Sequence, residues 1–309
     1  MIFNKNKGIK PGYFIFYYHD ISDNQLVPNN VRTSPDRFEK EIIFFLNNFE
    51  IVSLKKQISL IKKKNTAKHP TCSICFDDGY LSVLKFAHPF LVKNNIHHTL
   101  FLNSEILITK KLWLDNIIIF NLFKKYGRSF FISKLNVKLD ESNLSNFLRK
   151  ESNPKFRKKM KELMKFLDYE KIFLDSNDLL LFNRKYIDFG SHTYSHLHLS
   201  NLSYKEQRNE IEKCRNTLNK KRIPFSLFSI PFGDENSFNK DTEKLIIEYY
   251  KGILIKGNGS INHKFKNNIL EIERIGLNNN KKSLETHITE RLFPSIKDRI
   301  IKIINLIKK

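Results

Sequence analysis

Two adjacent aspartates, Asp77 and Asp78, close the segment SICFDDGYLSV, in which Ser73 to Phe76 are small or apolar and read as a buried strand. Gly79 follows at once as a turn residue. Taking a carboxylate out of water is costly, so a pair of them at a strand end implies a metal ion, a proton or a partner cation. A second cluster stands in FGSHTYSHLHLS, where His192 and His196 follow another apolar strand. In a helical turn, four-residue spacing puts both imidazoles on one face, able to meet a single ion. Asp78 would complete a set of two histidines and one carboxylate. Such a set leaves coordination positions open, which suits a catalytic ion better than a structural one. His198 should point elsewhere and is left outside the set.

The elements that must position these residues alternate. YFIFYYHDIS (13–22) reads as a buried first strand ending at His19 and Asp20. A helix then starts at Ser34, a plausible N-cap followed by Pro35, with Phe38, Ile42 and Phe45 on one face. A short strand at 51–54, a helix to about Lys64, the Cys72–Phe76 strand, a helix around 81–93 and the strand 98–103 follow. Residues 104–186 break this rhythm: they are rich in Lys, Phe and Leu, show helical spacing and contain no compelling strand, so they are expected to form a helical insertion. Alternation resumes with YIDFGSH, a helix over SYKEQRNEIEKCRNTLNKK, the strand FSLFSIPFG, a helix at 241–250 and the strand KGILIKG. Strands alternating with helices predict parallel βαβ units. The tail 283–309 reads as a separate basic amphipathic helix, with Ile296, Ile300, Ile303, Ile304 and Ile307 beside Lys297, Arg299 and Lys302. It is either packed against a domain spanning 1–282 or laid on an anionic membrane.

Composition narrows the function classes. The chain of 309 residues is 40% hydrophobic with 27 Phe, enough for a substantial core, and its charge is +22. The positive charge is compatible with an anionic partner, yet Lys, Asn, Ile and Phe abound while Gly is scarce, as a compositional bias would produce. Basic residues are spread along the chain and form no recognisable nucleic-acid module, so no nucleic-acid partner is expected. Cys72, Cys75 and Cys214 make no disulfide framework, and the C-x2-C pair lacks a second pair to complete a zinc site; they read as core residues. The segment MIFNKNKGIKPGYF lacks the apolar core of a signal peptide, and no apolar run reaches the length of about 18 residues needed for a membrane span. A cytoplasmic location, with peripheral membrane contact through the tail, is the expectation.

Three ordered motifs resemble those of the polysaccharide deacetylases with a NodB-type domain, carbohydrate esterase family 4. The family's T-F-D-D-G stands here as Cys75-Phe76-Asp77-Asp78-Gly79, its H-[ST]-x-x-H as His192-Thr193-Tyr194-Ser195-His196, and its R-x-P-[YF]-G as Ser229-Ile230-Pro231-Phe232-Gly233. SPDRFE, HTLFLNSE, LWLD and EIERIGL agree as well, so the resemblance covers roughly residues 12–278. It implies an α/β fold, a distorted (β/α) barrel with the site at the carboxyl ends of its strands, and hydrolysis of an acetyl group from an N-acetylated sugar. It further implies that Asp78, His192 and His196 hold a divalent ion, most often zinc, that Asp77 acts as general base, and that the Phe232 N–H helps stabilise the oxyanion. The family usually supplies its acid histidine from a C-terminal motif that is missing here. His19, on the first strand, matches the branches that present it from the N-terminal side.

One departure concerns Ser229, which occupies the place of the motif arginine that orients the base and cannot supply a cation. Branches with small residues there are still active. Arg274 is the candidate substitute, the alternative being a surface ion pair with Glu271 or Glu273. Trp113 and Asp115 are candidates to line the glycan groove, Trp113 otherwise lying in the core, and Pro231 and Gly233 shape the backbone that approaches the metal. The expected activity is thus metal-dependent N-deacetylation of amino sugars in a surface polysaccharide or its precursor, including lipid-linked glycan. A non-catalytic glycan-binding or membrane-docking member of the fold, and an O-acetyl esterase, are the alternatives.

Overall fold

The computed structural model describes residues 9, 11–109, 111–136, 144–257 and 263–277. The tail helix expected at 283–309, with its membrane contact, lies outside the described residues.

In chain order the strands are β1 (Gly12–Tyr18), β2 (Asp20–Ile21), β3 (Arg32–Thr33), β4 (Glu50–Ile51), β5 (Pro70–Phe76), β6 (His98–Leu102), β7 (Ile187–Ser191), β8 (Phe225–Phe228), β9 (Ile253–Lys256), β10 (Lys264–Lys266), β11 (Ile269–Glu273) and β12 (Ile275–Gly276). The helices are α1 (Pro35–Asn48), α2 (Leu54–Lys62), α3 (His88–Lys93), α4 (Ser104–Ile108), α5 (Asp115–Leu135), α6 (Leu144–Glu151), α7 (Pro154–Leu163), α8 (Tyr204–Lys220) and α9 (Lys240–Tyr250). The main sheet runs β12-β1-β5-β6-β7-β8, with β4 added to β5, and every pairing in it is parallel. A second sheet, β10-β11-β9, continues the curve. It meets the first through a parallel bridge between Ser229 and Ile255, and again through the chain itself, which passes from β11 to β12 at Arg274. The strands therefore follow one another around a distorted barrel whose hydrogen bonding is interrupted.

The strands are legible in the sequence because parallel strands covered on both faces become continuous apolar runs. In β5 every residue after Pro70 is buried. The helices begin where their caps place them: Ser34 Oγ accepts the Arg37 N–H ahead of Pro35, and Ser203 with Glu206 forms a complete capping box for α8. In α1, Phe38, Ile42 and Phe45 face the sheet, where Phe45 stacks on Phe16 at 4.3 Å between ring centroids. The insertion between β6 and β7 is helical as expected. α5 changes direction at Gly127, whose φ of 69° and ψ of −169° interrupt the helix. The three cysteines are buried and unpaired. No described helix is long and apolar enough to cross a membrane.

The strands after residue 263 carry no clear signal in the sequence. β10 is exposed, and β11 has Glu271 and Glu273 among its apolar residues. Those charges disguise a buried strand, because their partner, the fully buried Lys256 on neighbouring β9, lies well upstream in sequence: its Nζ is 2.6 Å from Glu271 and 3.8 Å from Glu273.

Candidate metal centre

Five parallel strands each deliver, just past their carboxyl ends, residues of one site. β1 is followed by His19, β5 by Asp77 and Asp78, β7 by His192, β8 by Ser229 to Phe232, and β11 by Arg274. Parallel strands align these ends on one rim, where ligands bind in barrels of this kind. A cavity of about 880 Å3 opens there, lined by His19, Asp77, Asp78, His192, His196 and Phe232 among others.

Asp78, His192 and His196 converge. Asp78 Oδ1 lies 3.5 Å from His192 Nε2 and 3.3 Å from His196 Nε2. Their potential ligand atoms all fall within 4.8 Å of one another, the spread one ion would bridge. The His192 Nδ1–H donates to the Ser229 carbonyl at 2.7 Å, which directs the Nε2 lone pair toward Asp78. Burial is the main cause that lowers the imidazoles, His192 to about 4 and His196 to about 3, so both are neutral near pH 7. Burial pushes the Asp78 carboxyl the other way, upward. A buried carboxylate facing two neutral imidazole lone pairs has a cation-shaped deficit, and this N, N, O donor set fits zinc or a similar divalent ion. Asn103, at the end of β6, holds the carboxylate in place through Nδ2–H to Oδ1 at 3.1 Å.

The histidines do not meet by helical spacing. Residues 192–196 form a loop in which Thr193 and His196 take left-handed φ of 64° and 61°. The His196 N–H donates to Thr193 Oγ1 at 3.0 Å, and Ser195 is clamped to Glu210 of α8 through its N–H at 2.8 Å and its Oγ at 2.6 Å. Asp78 and Phe232 also have positive φ, 71° and 65°. Four non-glycine residues in this sparsely populated region, three of them lining the cavity, represent backbone strain concentrated at a site. Gly233 is needed for a different reason: a Cβ there would lie 2.7 Å from the Gly257 backbone nitrogen.

Asp77 is buried and gripped by Arg274 at both oxygens, Nη1 to Oδ1 at 2.8 Å and Nη2 to Oδ2 at 2.7 Å. Nη2 also donates to Ser229 Oγ at 2.7 Å, so the serine in the motif position accepts a bond from the same cation that grips Asp77. Arg274 is 1% exposed and lies 4.4 Å from the Tyr17 ring, which rules out the surface ion pair with Glu271 or Glu273. Burial alone would raise Asp77; the Arg274 charge and hydrogen bonds reverse this and hold the carboxyl at about 2.

His19 lines the same cavity, its ring edge-on to Tyr17 at 5.5 Å, and its buried Nδ1 has no hydrogen-bond partner among the described residues. The Phe232 N–H likewise meets no backbone acceptor among them. Pro231 is buried and shapes the turn without lining the cavity. Trp113 is not a groove residue: it is 1% exposed beneath the insertion and its indole N–H donates to the Glu170 carbonyl at 2.9 Å. Asp115 does reach the cavity wall, paired with Arg157. Asn103, Glu210 and Tyr17 also serve the site without belonging to any of the three ordered motifs. Of these, only Asn103, a polar residue closing an apolar strand, carries a sequence signal comparable to that of Asp77.

His88 and His98 are lowered by burial to about 4 and about 3, and His198 to about 4, in the same direction as the two site histidines. Between the ordinary value of 6.5 and these lowered values, the unfolded chain binds protons that the native protein does not. Stability is therefore present above pH 6.5 and is lost as pH falls toward 4. Buried carboxyls raised by desolvation, Asp20, Asp78 and Glu210 among them, oppose this. Their opposing effect acts upward from ordinary values of 3.8 to 4.5 and so enters the window in which the histidines titrate, where the five lowered imidazoles work against it. The metal-free protein should lose roughly 5 °C or more of Tm between pH 7 and pH 5, measured by calorimetry.

A distorted barrel, parallel apart from β10, with an Asp-His-His cluster and a second carboxylate at its strand ends is the arrangement that the three motifs imply. Residues 177–249 match the polysaccharide deacetylase family model, a span that includes the second and third motifs. No curated protein matches the chain in sequence. Among solved structures, a Streptococcus pyogenes deacetylase, PplD, in complex with acetate, superimposes with a TM-score of 0.56 at 17% identity, over 92% of this chain and 100% of that one. A de-N-acetylase from Aggregatibacter actinomycetemcomitans gives 0.58 at 13% identity over 90% and 99%. IcaB from Ammonifex degensii gives 0.55 at 12% over 91% and 96%. The likeness to the polysaccharide deacetylases thus holds in family match and in fold.

Proposed function

We propose that this protein is a metal-dependent hydrolase that removes N-acetyl groups from amino sugars of a surface polysaccharide or its precursor. The observation that carries the reading is the pairing of a buried Asp-His-His cluster with a separate, ionised Asp77 held by Arg274. Asp78, His192 and His196 would hold the ion. When bound, the ion supplies Lewis acidity, making water more acidic and polarising the acetyl carbonyl.

The remaining work falls to the chain. Asp77 is ionised throughout the working pH range and takes a proton from the attacking water at a carboxylate oxygen. Arg274 orients that carboxylate and keeps it from sharing a proton with Asp78. The Phe232 N–H donates to the acetyl oxygen as negative charge develops there. His19 delivers a proton to the departing sugar amine. The non-catalytic alternative is less favoured, because Asp77 has a cation at both oxygens in Arg274 although Ser229 supplies none.

Chelation tests the reading. Incubation with a chelator should lower acetate release from N-acetylhexosamine glycans by at least roughly 100-fold, with recovery on adding zinc. Full activity in demonstrably metal-free protein would refute it. Amide and O-acetyl ester substrates assayed side by side separate the two hydrolytic alternatives.

A further inference from the structure

Three consecutive residues at the start of α4 hold both kinds of metal ligand. Asn103 Nδ2–H donates to Asp78 Oδ1 at 3.1 Å, the Ser104 N–H to the Thr193 carbonyl at 3.3 Å, and the Glu105 N–H to the Tyr194 carbonyl at 2.9 Å. The last two bonds grip the loop between His192 and His196, in addition to the clamp from Glu210. α4 itself is weakly anchored by its own residues. It is five residues long, and its N-cap Asn103 makes no side-chain bond to it, the amide being turned to Asp78. The anchor is the buried Glu105 carboxylate, which meets two cations of α7, Arg157 and Lys161. Arg157 is also buried and donates to Glu105 Oε2 from Nε at 3.1 Å and from Nη2 at 2.9 Å. Its Nη1 donates to the Trp113 carbonyl at 3.0 Å and to Asp115 at the cavity wall.

We infer that Arg157 is a positioning residue for the metal centre: through Glu105 it fixes the start of α4, which in turn fixes Asp78 and the histidine loop. The inference rests on the metal-centre reading and extends that site to α7, 52 residues beyond Glu105. Stability alone is a weak reason for such a group, since a buried ion pair gains little over a well-packed apolar substitute. Directional geometry is a stronger one. The guanidinium is a rigid planar fork, and its three nitrogens tie α4 to the segment that opens α5. A shift of α4 would draw the Ser104 and Glu105 N–H groups away from Thr193 and Tyr194. Metal ligands that lose such outer partners lose affinity for the ion.

The test measures the equilibrium zinc affinity of the folded variants by competition with a chromophoric chelator. Arg157→Gln should weaken zinc binding at least about tenfold. Arg157→Lys, the milder variant if the first does not fold, keeps the charge without the fork and should show a loss of the same order, at least about tenfold. A smaller loss in the folded variant overturns the inference while leaving the metal centre intact. Phe45→Leu is the control, since it opens a cavity in the core under α1 and touches no residue of the site. It should keep zinc affinity within about threefold of wild type; a loss matching that of the Arg157 variants would reduce the role to general stability and also overturns the inference. If the wild-type protein binds no zinc, the metal reading fails, and amide hydrogen exchange then decides the coupling. Exchange of the Glu105 N–H that is at least about tenfold faster in Arg157→Lys, relative to the β5 amides, upholds it, and a smaller change overturns it.

Discussion

Asp77→Asn is expected to abolish acetate release while leaving zinc bound, and Asp78→Ala to lose both. The two side chains are adjacent in sequence but differ in surroundings. Asp78 faces His192 and His196, whereas Asp77 gives both oxygens to Arg274. Asparagine has nearly the shape of aspartate, so the Asp78 cluster keeps its geometry, but the amide cannot accept a proton at neutral pH. Loss of a general base costs about 10²- to 10⁴-fold in turnover. Removing the only carboxylate from an Asp-His-His set leaves two neutral nitrogens, which cannot balance a divalent charge in a buried site. Acetate release and equilibrium zinc titration on the same preparations check the pair. Equal zinc loss in both variants, or turnover by Asp77→Asn near the wild-type rate, would show that the roles are divided differently.

Arg274→Ala should be the most destabilising single change at the site, by about 3–5 kcal/mol, because it leaves the buried Asp77 carboxylate without its cation. Asp77→Asn in the Arg274→Ala background should recover part of that loss, since the double variant no longer buries an unpaired charge. A double-mutant cycle by denaturant unfolding measures the coupling. The pH dependence has a definite sign. Asp77 is held at about 2 against an ordinary 3.8, so the pair's contribution is fully present above pH 3.8 and is lost as pH falls through 2. Without Arg274, burial is the largest influence left on Asp77 and lifts the carboxyl, so residual activity in Arg274→Ala should fall off at a higher pH than in wild type. An unchanged acid limb, with additive stabilities, would mean that Arg274 does not govern Asp77.

Much of this site is legible in the amino-acid sequence. Buried parallel strands are continuous apolar runs, so a polar residue at the end of one stands out, and Asp77, Asp78, His192 and His19 are each visible that way. The capping serines and prolines likewise mark the helix starts. Trp113 misleads because an aromatic residue reads the same on a groove wall and in a core. β11 escapes because Glu271 and Glu273 interrupt its apolar pattern, and only the placement of Lys256 beside them makes burial tolerable.

Local sequence, then, determined which residues sit at strand ends, since period, caps and turn residues act over a few positions. The tertiary structure alone decided which distant groups meet there. Arg274 closes on Asp77 across a separation of 197 residues. His192 and His196 converge through left-handed backbone at Thr193 and His196 and a clamp from Glu210, with no helix involved. The physical reason is common to both. Ion pairing and strained backbone are stabilised by partners that folding brings from elsewhere in the chain, and neither leaves a periodic mark on the residues that carry it.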